Sequence, residues 1–246
     1  QFTQDNELSE NGVINDSLLA TKLGLKSIPA IAEQIIIERD LLLLEQYHTK
    51  YHIALISSKE SIDIIKKAKE KGLKFTVGVS INNLSLNDND IGDFKTFLKL
   101  SPPLRSEQDR LALIKAVKEG IIDVIVSDHK PEDEESKRLT FQQAASGASG
   151  IETLLPLALE LFHNGSCELN LLIKNLTSNP AKILGIRNGT LSVGSEADIA
   201  VFDLNKPWVL KKENILSKSK NTAIENRKLQ GKVSKTFING KLVFSE

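Results

Sequence analysis

The strongest candidate for chemistry in this sequence is the pair Asp128–His129, which directly follows the apolar run Val124–Val126. Such a run predicts a buried strand, and catalytic groups in β/α barrels lie just beyond the carboxyl ends of the strands. There the Asp128 carboxylate can ligate a metal or act as a general base. The alternative is structural, because an Asp after a strand often caps the next turn or helix. The sequence leaves both roles open, and His129 is the weaker candidate.

Other polar positions are candidates for binding a ligand. Arg105 follows a long loop and Pro102–Pro103, and its planar guanidinium fits a carboxylate. The alternative is an exposed arginine that binds no ligand, which is the commoner case. Asn82 and Asn83 end the second predicted strand, where they either hydrogen-bond a polar ligand or close a turn, and the residue type favours the turn. The acidic run 132–135 is expected to be a solvated loop.

Histidine and cysteine form no recognisable metal motif. His48, His52 and His163 show neither His-x-His nor His-Glu-x-x-His spacing. The one cysteine, Cys167, can form neither an intrachain disulfide nor a cysteine-based zinc site. This cysteine usage fits a reducing cytoplasm.

Composition excludes several classes of protein. The 246 residues carry 32 Lys+Arg against 32 Asp+Glu, so no field of one sign favours nucleic acid as a partner. The longest apolar runs, 35–37 and 41–44, fall far short of the roughly 20 residues that cross a bilayer, so a membrane is not an expected partner either. The chain has no methionine and begins with Gln1. We therefore expect that an N-terminal portion is missing.

Short apolar runs alternate with helical patterns, which is typical of repeated β/α units around a parallel sheet. Strands are predicted over Ile53–Ile56, Phe75–Val79 and Ile122–Val126, and a helix over Glu107–Lys118. The pattern predicts an α/β fold, either a β/α barrel or a doubly wound sheet. Further helices are predicted over Pro29–Tyr47, Glu60–Lys71, Ile151–Phe162 and Leu169–Leu176.

The pattern changes near residue 186, where β-rich segments begin. Asn239–Gly240 lies between the apolar stretches Lys235–Ile238 and Lys241–Phe244, and this dipeptide is a strong hairpin signal. A smaller antiparallel module is therefore predicted at the end of the chain.

Five short motifs occur in one order and span nearly the whole chain. They are Pro102–Pro103–Leu104–Arg105, Ser127–Asp128–His129–Lys130–Pro131, Ser149–Gly150–Ile151–Glu152–Thr153, Asn179–Pro180–Ala181 and Gly194–Ser195–Glu196–Ala197–Asp198. With these motifs the chain resembles the dihydroorotases of the amidohydrolase superfamily. It is most similar to the bacterial class that associates with aspartate transcarbamoylase.

The resemblance implies a (β/α)8 TIM-type barrel with a small β-sandwich, of which this chain is similar only to the second half. Residues 1–185 would form barrel strands 5–8, and residues 186–246 part of the sandwich. The missing N-terminal half of the same polypeptide would carry a His-x-His pair and a bridging metal ligand. Because a half barrel exposes two strand edges and an uncovered core, we expect further residues to complete it.

The resemblance also assigns roles to positions. Metal-binding histidines of the family fall on Phe2 and Leu55, and neither side chain can coordinate zinc. The catalytic carboxylate is retained as Asp128. A His pair falls on Asn82–Asn83, and the histidine that closes the Asp128 motif falls on Glu132. The positions implied to bind substrate are Asn82, Asn83, Ser101, Arg105, Ser146 and Gly147.

Three functions follow as hypotheses. The first is a dihydroorotase-like protein of pyrimidine biosynthesis that lacks catalysis and metal and acts as a structural partner of aspartate transcarbamoylase, or as a homo-oligomer. The second is an active zinc-dependent dihydroorotase or related cyclic-amide hydrolase, whose N-terminal half supplies the metal ligands. The third is a module that binds an anion through Arg105, Asn82 and Asn83 without turning it over. A cytoplasmic location is expected for each.

Overall fold

The computed structural model describes all 246 residues as an α/β protein. None of its helices combines the length and the hydrophobicity that a membrane-spanning segment requires. The strands are β1 (Ile14–Asn15), β2 (Ser27–Ile28), β3 (His52–Ile56), β4 (Thr76–Ser80), β5 (Val124–Val126), β6 (Ile199–Val209), β7 (Lys228–Ile238) and β8 (Lys241–Ser245). The helices are α1 (Leu18–Leu23), α2 (Ile31–Tyr47), α3 (Lys59–Glu70), α4 (Ile81–Ser85), α5 (Glu107–Lys118), α6 (Glu134–Arg138), α7 (Leu154–His163), α8 (Leu169–Leu176) and α9 (Ser178–Leu184).

The sheet that positions the candidate site is parallel, with the consecutive order β3–β4–β5. The first residues of the chain extend along the outer edge of β3. The Gln1 ammonium donates to the His52 carbonyl at 3.0 Å, and the Ala54 N–H donates to the Gln1 carbonyl at the same distance. The sheet remains open, because β5 does not pair back with this first segment.

Helices cover the sheet by burying the faces that their sequence patterns predict. Ile62, Ile65 and Ala68 of α3 are buried in one cluster of 38 apolar residues that includes the strands. The Ser58 hydroxyl caps the first turn of α3. Ser106 and Asp109 form a reciprocal capping box at the start of α5, which fixes where this helix begins.

The end of the chain forms a separate antiparallel sheet with the order β6–β7–β8. Asn239 and Gly240, with φ of 49° and 73°, form the turn between β7 and β8, which confirms the predicted hairpin. This chain forms one three-stranded sheet here, so a complete β-sandwich is not present. Four buried apolar residues of this region, Leu210, Ile215, Ile224 and Leu229, belong to the main core.

Two local predictions were wrong. Asn82 and Asn83 do not close an open turn but lie buried in α4, because the Ser80 hydroxyl caps this short helix directly at the end of β4. The acidic run is not entirely loop, since Glu134 and Glu135 form the first turn of α6 after the N-cap Asp133. Acidic residues favour the first turn of a helix, where they face the positive end of its dipole.

Candidate functional site

The ends of β4 and β5 bring together Ser80, Asn82, Asn83 and Asp128. Ser80 is the last residue of β4 and pairs with Val126, the last residue of β5. The chain then turns into α4 after Ser80 and into the loop that carries Asp128 after Val126. Of the residues that the sequence predicted, the structure therefore places both asparagines and the aspartate at one edge of the sheet.

Asp128 has an unusual backbone and an unusual carboxyl group. Its φ of 48° lies in the left-handed region, which is uncommon for residues other than glycine. Burial raises the pKa of Asp128 to about 6, although the Ser80 hydroxyl and the Lys130 charge act in the opposite direction. The carboxyl group therefore changes its protonation close to neutral pH, as a group that exchanges protons with a ligand would.

Asn82 and Asn83 are 2% and 3% exposed, yet each retains an unpaired polar atom. The Asn83 Nδ2 donates to the Pro103 carbonyl at 3.0 Å, which ties the Pro102–Arg105 segment to α4. The Asn82 Nδ2 and the Asn83 Oδ1 have no hydrogen-bond partner. A buried amide atom without a partner costs about 1–3 kcal/mol, so these atoms offer one donor and one acceptor to a molecule that reaches them.

Arg105 lies in a buried polar network and not in an open cleft. It is 4% exposed, and its guanidinium donates to the Ser57 Oγ at 3.1 Å, the Asn15 Oδ1 at 2.9 Å and the Ile28 carbonyl at 2.6 Å. From the sequence, Arg105 was expected either to bind a carboxylate or to lie on the surface, and both expectations were wrong about its surroundings, because it is buried and protein groups accept its hydrogen bonds. The reason is that the ends of β1, β2 and β3 meet at Arg105.

Glu33 supplies the negative charge of this network, a role that sequence reasoning missed. It is 2% exposed and accepts hydrogen bonds from the backbone N–H and the hydroxyl of both Ser57 and Ser58, and from the Ser61 hydroxyl. The available signal was an acidic residue in the first turn of a helix together with serines after a strand. Neither pattern shows that the two segments meet.

Gly147 packs against Lys130, which follows Asp128 by two residues, and Ser146 directly precedes Gly147. Ser146 is half-buried and Gly147 is buried. A Cβ on Gly147 would lie 2.7 Å from the Lys130 carbonyl oxygen, so only glycine fits there. Ser101 is half-buried and starts the segment that Asn83 holds. The structure thus places Gly147 next to the Asp128 loop, while contacts of Ser101, Ser146 and Gly147 with a substrate remain predictions.

The side chains at the strand ends are poor zinc ligands. Phe2 and Leu55 have no lone pairs. The His129 Nδ1 accepts a hydrogen bond from the Gly150 N–H at 3.1 Å, so in the neutral ring Nε2 carries the proton and neither nitrogen offers a lone pair. No group of three His, Cys, Asp or Glu side chains is arranged to hold a metal ion. Asp128 is therefore the one strong metal donor at this edge of the sheet.

The other histidines lie apart from this edge. The His52 Nδ1 is 2.8 Å from the Thr76 hydroxyl near the beginning of β3 and β4, and the His163 Nε2 is 3.0 Å from the Leu204 carbonyl. His48 caps the end of α2.

Comparison with known sequences identifies the relatives of the chain. The profile of the amidohydrolase family matches residues 25–243. A dihydroorotase from Ehrlichia canis (strain Jake) is 42% identical over 246 residues, which is 100% of this chain and 55% of that protein. A dihydroorotase from Wolbachia sp. subsp. Drosophila simulans (strain wRi) is 40% identical over 247 residues, 100% of this chain and 56% of that protein. The chain thus spans little more than half the length of these curated relatives.

The chain is also similar in fold to solved structures, again over about half of their length. L-hydantoinase (dihydropyrimidinase) from Arthrobacter aurescens superposes with a TM-score of 0.83 and 28% identity, over 89% of this chain and 50% of that one. Dihydropyrimidinase from Brevibacillus agri NCHU1002 gives the same TM-score and coverage at 25% identity.

Proposed function

The chain belongs to the amidohydrolase family, and from this premise we propose that it is a dihydroorotase-like protein of pyrimidine biosynthesis that does not catalyse metal-dependent hydrolysis. In this proposal it acts in the cytoplasm as a structural partner of aspartate transcarbamoylase. The dihydroorotase assignment is supported by relatives that carry this name at about 40% identity over the whole chain. The partner assignment is supported by the order of motifs that the chain shares with the class that associates with aspartate transcarbamoylase.

One observation carries the loss of catalysis: the donor set at the strand ends does not fit zinc. A bound metal would activate water and stabilise developing charge. In this chain the positions that the resemblance gives to imidazoles hold Phe2, Leu55, Asn82 and Asn83. Amide oxygens bind zinc far less well than imidazole or thiolate, so Asp128 would have to hold the ion almost alone.

Meanwhile the framework of this half of the fold is well packed. The parallel sheet, the capped helices and a continuous core of 38 buried apolar residues are all present. A protein that keeps its packing while its metal ligands are replaced fits a structural role better than a hydrolytic one. Folding and association depend on this framework, whereas hydrolysis also depends on the ligands.

We also propose that the chain forms the second half of a (β/α)8 barrel, with residues 1–185 in the barrel and 186–246 in a β-sandwich. The consecutive parallel order β3–β4–β5 supports a barrel over a doubly wound sheet. The α2 residues Ile31, Ile35 and Leu42 are 46%, 41% and 68% exposed. Such an apolar face fits a neighbouring β/α unit, which the first half of the polypeptide would supply.

The decisive experiment measures zinc content and dihydroorotate hydrolysis on the same sample of the complete polypeptide. We expect substoichiometric zinc and no turnover above that of the Asp128→Asn variant. Stoichiometric zinc with turnover that this variant loses would overturn the proposal in favour of an active dihydroorotase. In that case the N-terminal half would provide the ligands.

The partner role has its own test. The complete polypeptide is mixed with aspartate transcarbamoylase from the same organism, and the mixture is analysed by size-exclusion chromatography and by carbamoyl aspartate formation. Co-elution with a gain of transcarbamoylase activity is expected. Separate elution with unchanged activity would contradict the partner role and would leave the zinc result intact.

A further inference from the structure

Asparagine directly precedes glycine at four places in the chain. An Asn–Gly peptide is prone to deamidation, because glycine has no Cβ to hinder the attack of its backbone nitrogen on the asparagine carboxamide. In an unfolded chain the four dipeptides should therefore react at similar rates, and differences in the folded chain come from their surroundings. The four are Asn11–Gly12, Asn164–Gly165, Asn188–Gly189 and Asn239–Gly240.

Three of the four glycines donate their backbone N–H to a nearby carbonyl. The nitrogen must lose this proton and turn toward the side chain before it can attack, so each of these hydrogen bonds opposes the reaction. The acceptors are the carbonyls of Ser9 for Gly12 at 2.9 Å, Phe162 for Gly165 at 3.0 Å and Ala197 for Gly240 at 3.0 Å.

Gly189 is the exception. It lies in the exposed connection between α9 and β6, and its N–H donates no hydrogen bond. Water can therefore reach this nitrogen and take up its proton. The Asn188 carboxamide has one partner, because its Nδ2 donates to the Asp198 Oδ2 at 2.8 Å. Asp198 is exposed, so water competes for this contact.

We propose that Asn188 is a deamidation site, and that in the folded chain it reacts faster than the asparagines of the other three Asn–Gly dipeptides. The inference goes beyond the proposed function, because it depends on the surroundings of one peptide bond and not on metal ligands or on a partner protein. Stoichiometric zinc in the complete polypeptide would overturn the proposed function and leave this inference standing.

The reaction needs only water. The Gly189 nitrogen gives its proton to water and forms a bond to the Asn188 Cγ, while the bond between Cγ and Nδ2 breaks. Nδ2 takes a proton from water and leaves as ammonia, and the product is a cyclic succinimide. A water molecule then opens the ring to aspartate or isoaspartate. The net reaction consumes one water and releases one ammonia, without oxidation or reduction.

The new carboxylate would lie beside Asp198. The Asp198 Oδ2 accepts from the Asn188 amide, and after the reaction it would face a second negative charge instead of a donor. The Asp198 Oδ1 also accepts from the Asn239 N–H at 2.8 Å, and the Gly240 N–H donates to the Ala197 carbonyl. These contacts attach the turn between β7 and β8 to the beginning of β6. Repulsion at Asp198 should therefore loosen this turn.

The first test is peptide mapping by mass spectrometry of the complete polypeptide, incubated at mildly alkaline pH in the folded state and unfolded in guanidinium chloride. The ratio of the folded to the unfolded rate at each site removes intrinsic differences between the dipeptides. We expect this ratio to be at least about fivefold higher at Asn188 than at the other three sites, the factor that corresponds to one hydrogen bond of about 1 kcal/mol.

The second test follows the turn between β7 and β8. Asn188→Asp reproduces the charge of the product, and amide hydrogen exchange in residues 238–241 should become at least about fivefold faster in this variant. Asn164→Asp adds the same charge at another exposed Asn–Gly dipeptide and should leave this exchange unchanged. Gly189→Ala is not a suitable variant, because a Cβ there would lie 2.9 Å from the Thr177 carbonyl oxygen.

Equal ratios at the four sites, or a higher ratio at another asparagine, would overturn the assignment of Asn188. This comparison uses the unmodified chain, so it does not depend on whether a variant folds. Unchanged exchange of the turn in Asn188→Asp would overturn the link through Asp198. Equally faster exchange in Asn164→Asp would do the same, because it would show a general effect of added charge.

Discussion

Asp128 combines a left-handed backbone with a buried carboxyl group whose pKa is raised to about 6. Between the unfolded pKa of about 3.8 and pH 6, the folded chain keeps a proton that the unfolded chain has released. Linkage then makes the free energy of unfolding fall as pH rises through this window, and the loss is complete only well above pH 6, where the folded carboxyl group is also ionised. The ionised carboxylate is therefore a destabilising group at neutral pH.

Asp128→Asn should raise the free energy of unfolding by about 1–3 kcal/mol at pH 7.5 and by less at pH 4.5. The amide has nearly the same shape without the charge, and asparagine tolerates the left-handed region. Urea unfolding at both pH values measures the effect. Asp93→Asn, at an exposed position, should change little at either pH. A stabilisation independent of pH would show that desolvation of the carboxylate is not the cause.

Glu33 is the acceptor on which a buried network depends. Glu33→Gln should lower the free energy of unfolding by about 3 kcal/mol, because it removes the largest of the negative charges that stabilise the buried Arg105 guanidinium and turns an amide NH2 toward the N–H donors of Ser57 and Ser58. Glu38→Gln on the exposed side of the same helix is the control and should cost less than about 0.5 kcal/mol. Equal losses in the two variants, measured by urea unfolding, would contradict a special role of Glu33.

Part of the candidate site could be predicted from the sequence, because apolar runs indicate where strands end. Asp128 directly follows an apolar run, so its place at the carboxyl end of β5 could be predicted. The partners of Arg105 could not, because Asn15, Ile28 and Ser57 are distant in sequence and only the packed fold brings them to one guanidinium. Local patterns carry no information about which distant segments meet.

At the scale of elements, prediction succeeded where periodicity extends over several turns. The helices α5 and α8 have the predicted bounds, Glu107–Lys118 and Leu169–Leu176. The two-residue strands β1 and β2 were missed, because so few residues show no periodicity. The helix α4 was missed because Asn82 and Asn83 favour turns on their own, and the Ser80 cap together with burial outweighs that preference.

The contact between β3 and β4 depends on a glycine. A Cβ on Gly78 would lie 2.3 Å from the Ala54 carbonyl oxygen in the neighbouring strand, and backbone cannot move aside as a flexible side chain can. Gly78→Ala should therefore lower the thermal midpoint strongly, through a loss of about 3 kcal/mol or more. Gly72→Ala, which has open space and only a positive φ of 88°, should lose about 1 kcal/mol. Similar midpoints for the two variants would contradict the close approach of the strands.

At the scale of the whole molecule, the C-terminal sheet and the β/α region share one core. Leu229 of β7 is 3% exposed, pairs with Trp208 of β6 and lies in the same buried cluster as the residues of the parallel sheet. Arg227 and Glu160 of α7 add an ion pair at 2.7 Å between the two regions. These contacts predict that the antiparallel sheet and the β/α region unfold together, even though their secondary structure differs.

Leu229→Ala tests this coupling, because it should cost about 2–4 kcal/mol by leaving a cavity in the shared core. Trp208 is the only tryptophan, so its fluorescence reports on the C-terminal sheet, whereas far-ultraviolet circular dichroism reports mainly on the helices of the β/α region. Both signals should shift to the same lower urea midpoint, as in a two-state transition. Val243→Ala, at a position 56% exposed on β8, should move neither. If Leu229→Ala shifted the fluorescence midpoint alone, the two regions would be independent units, and the shared core would not couple them.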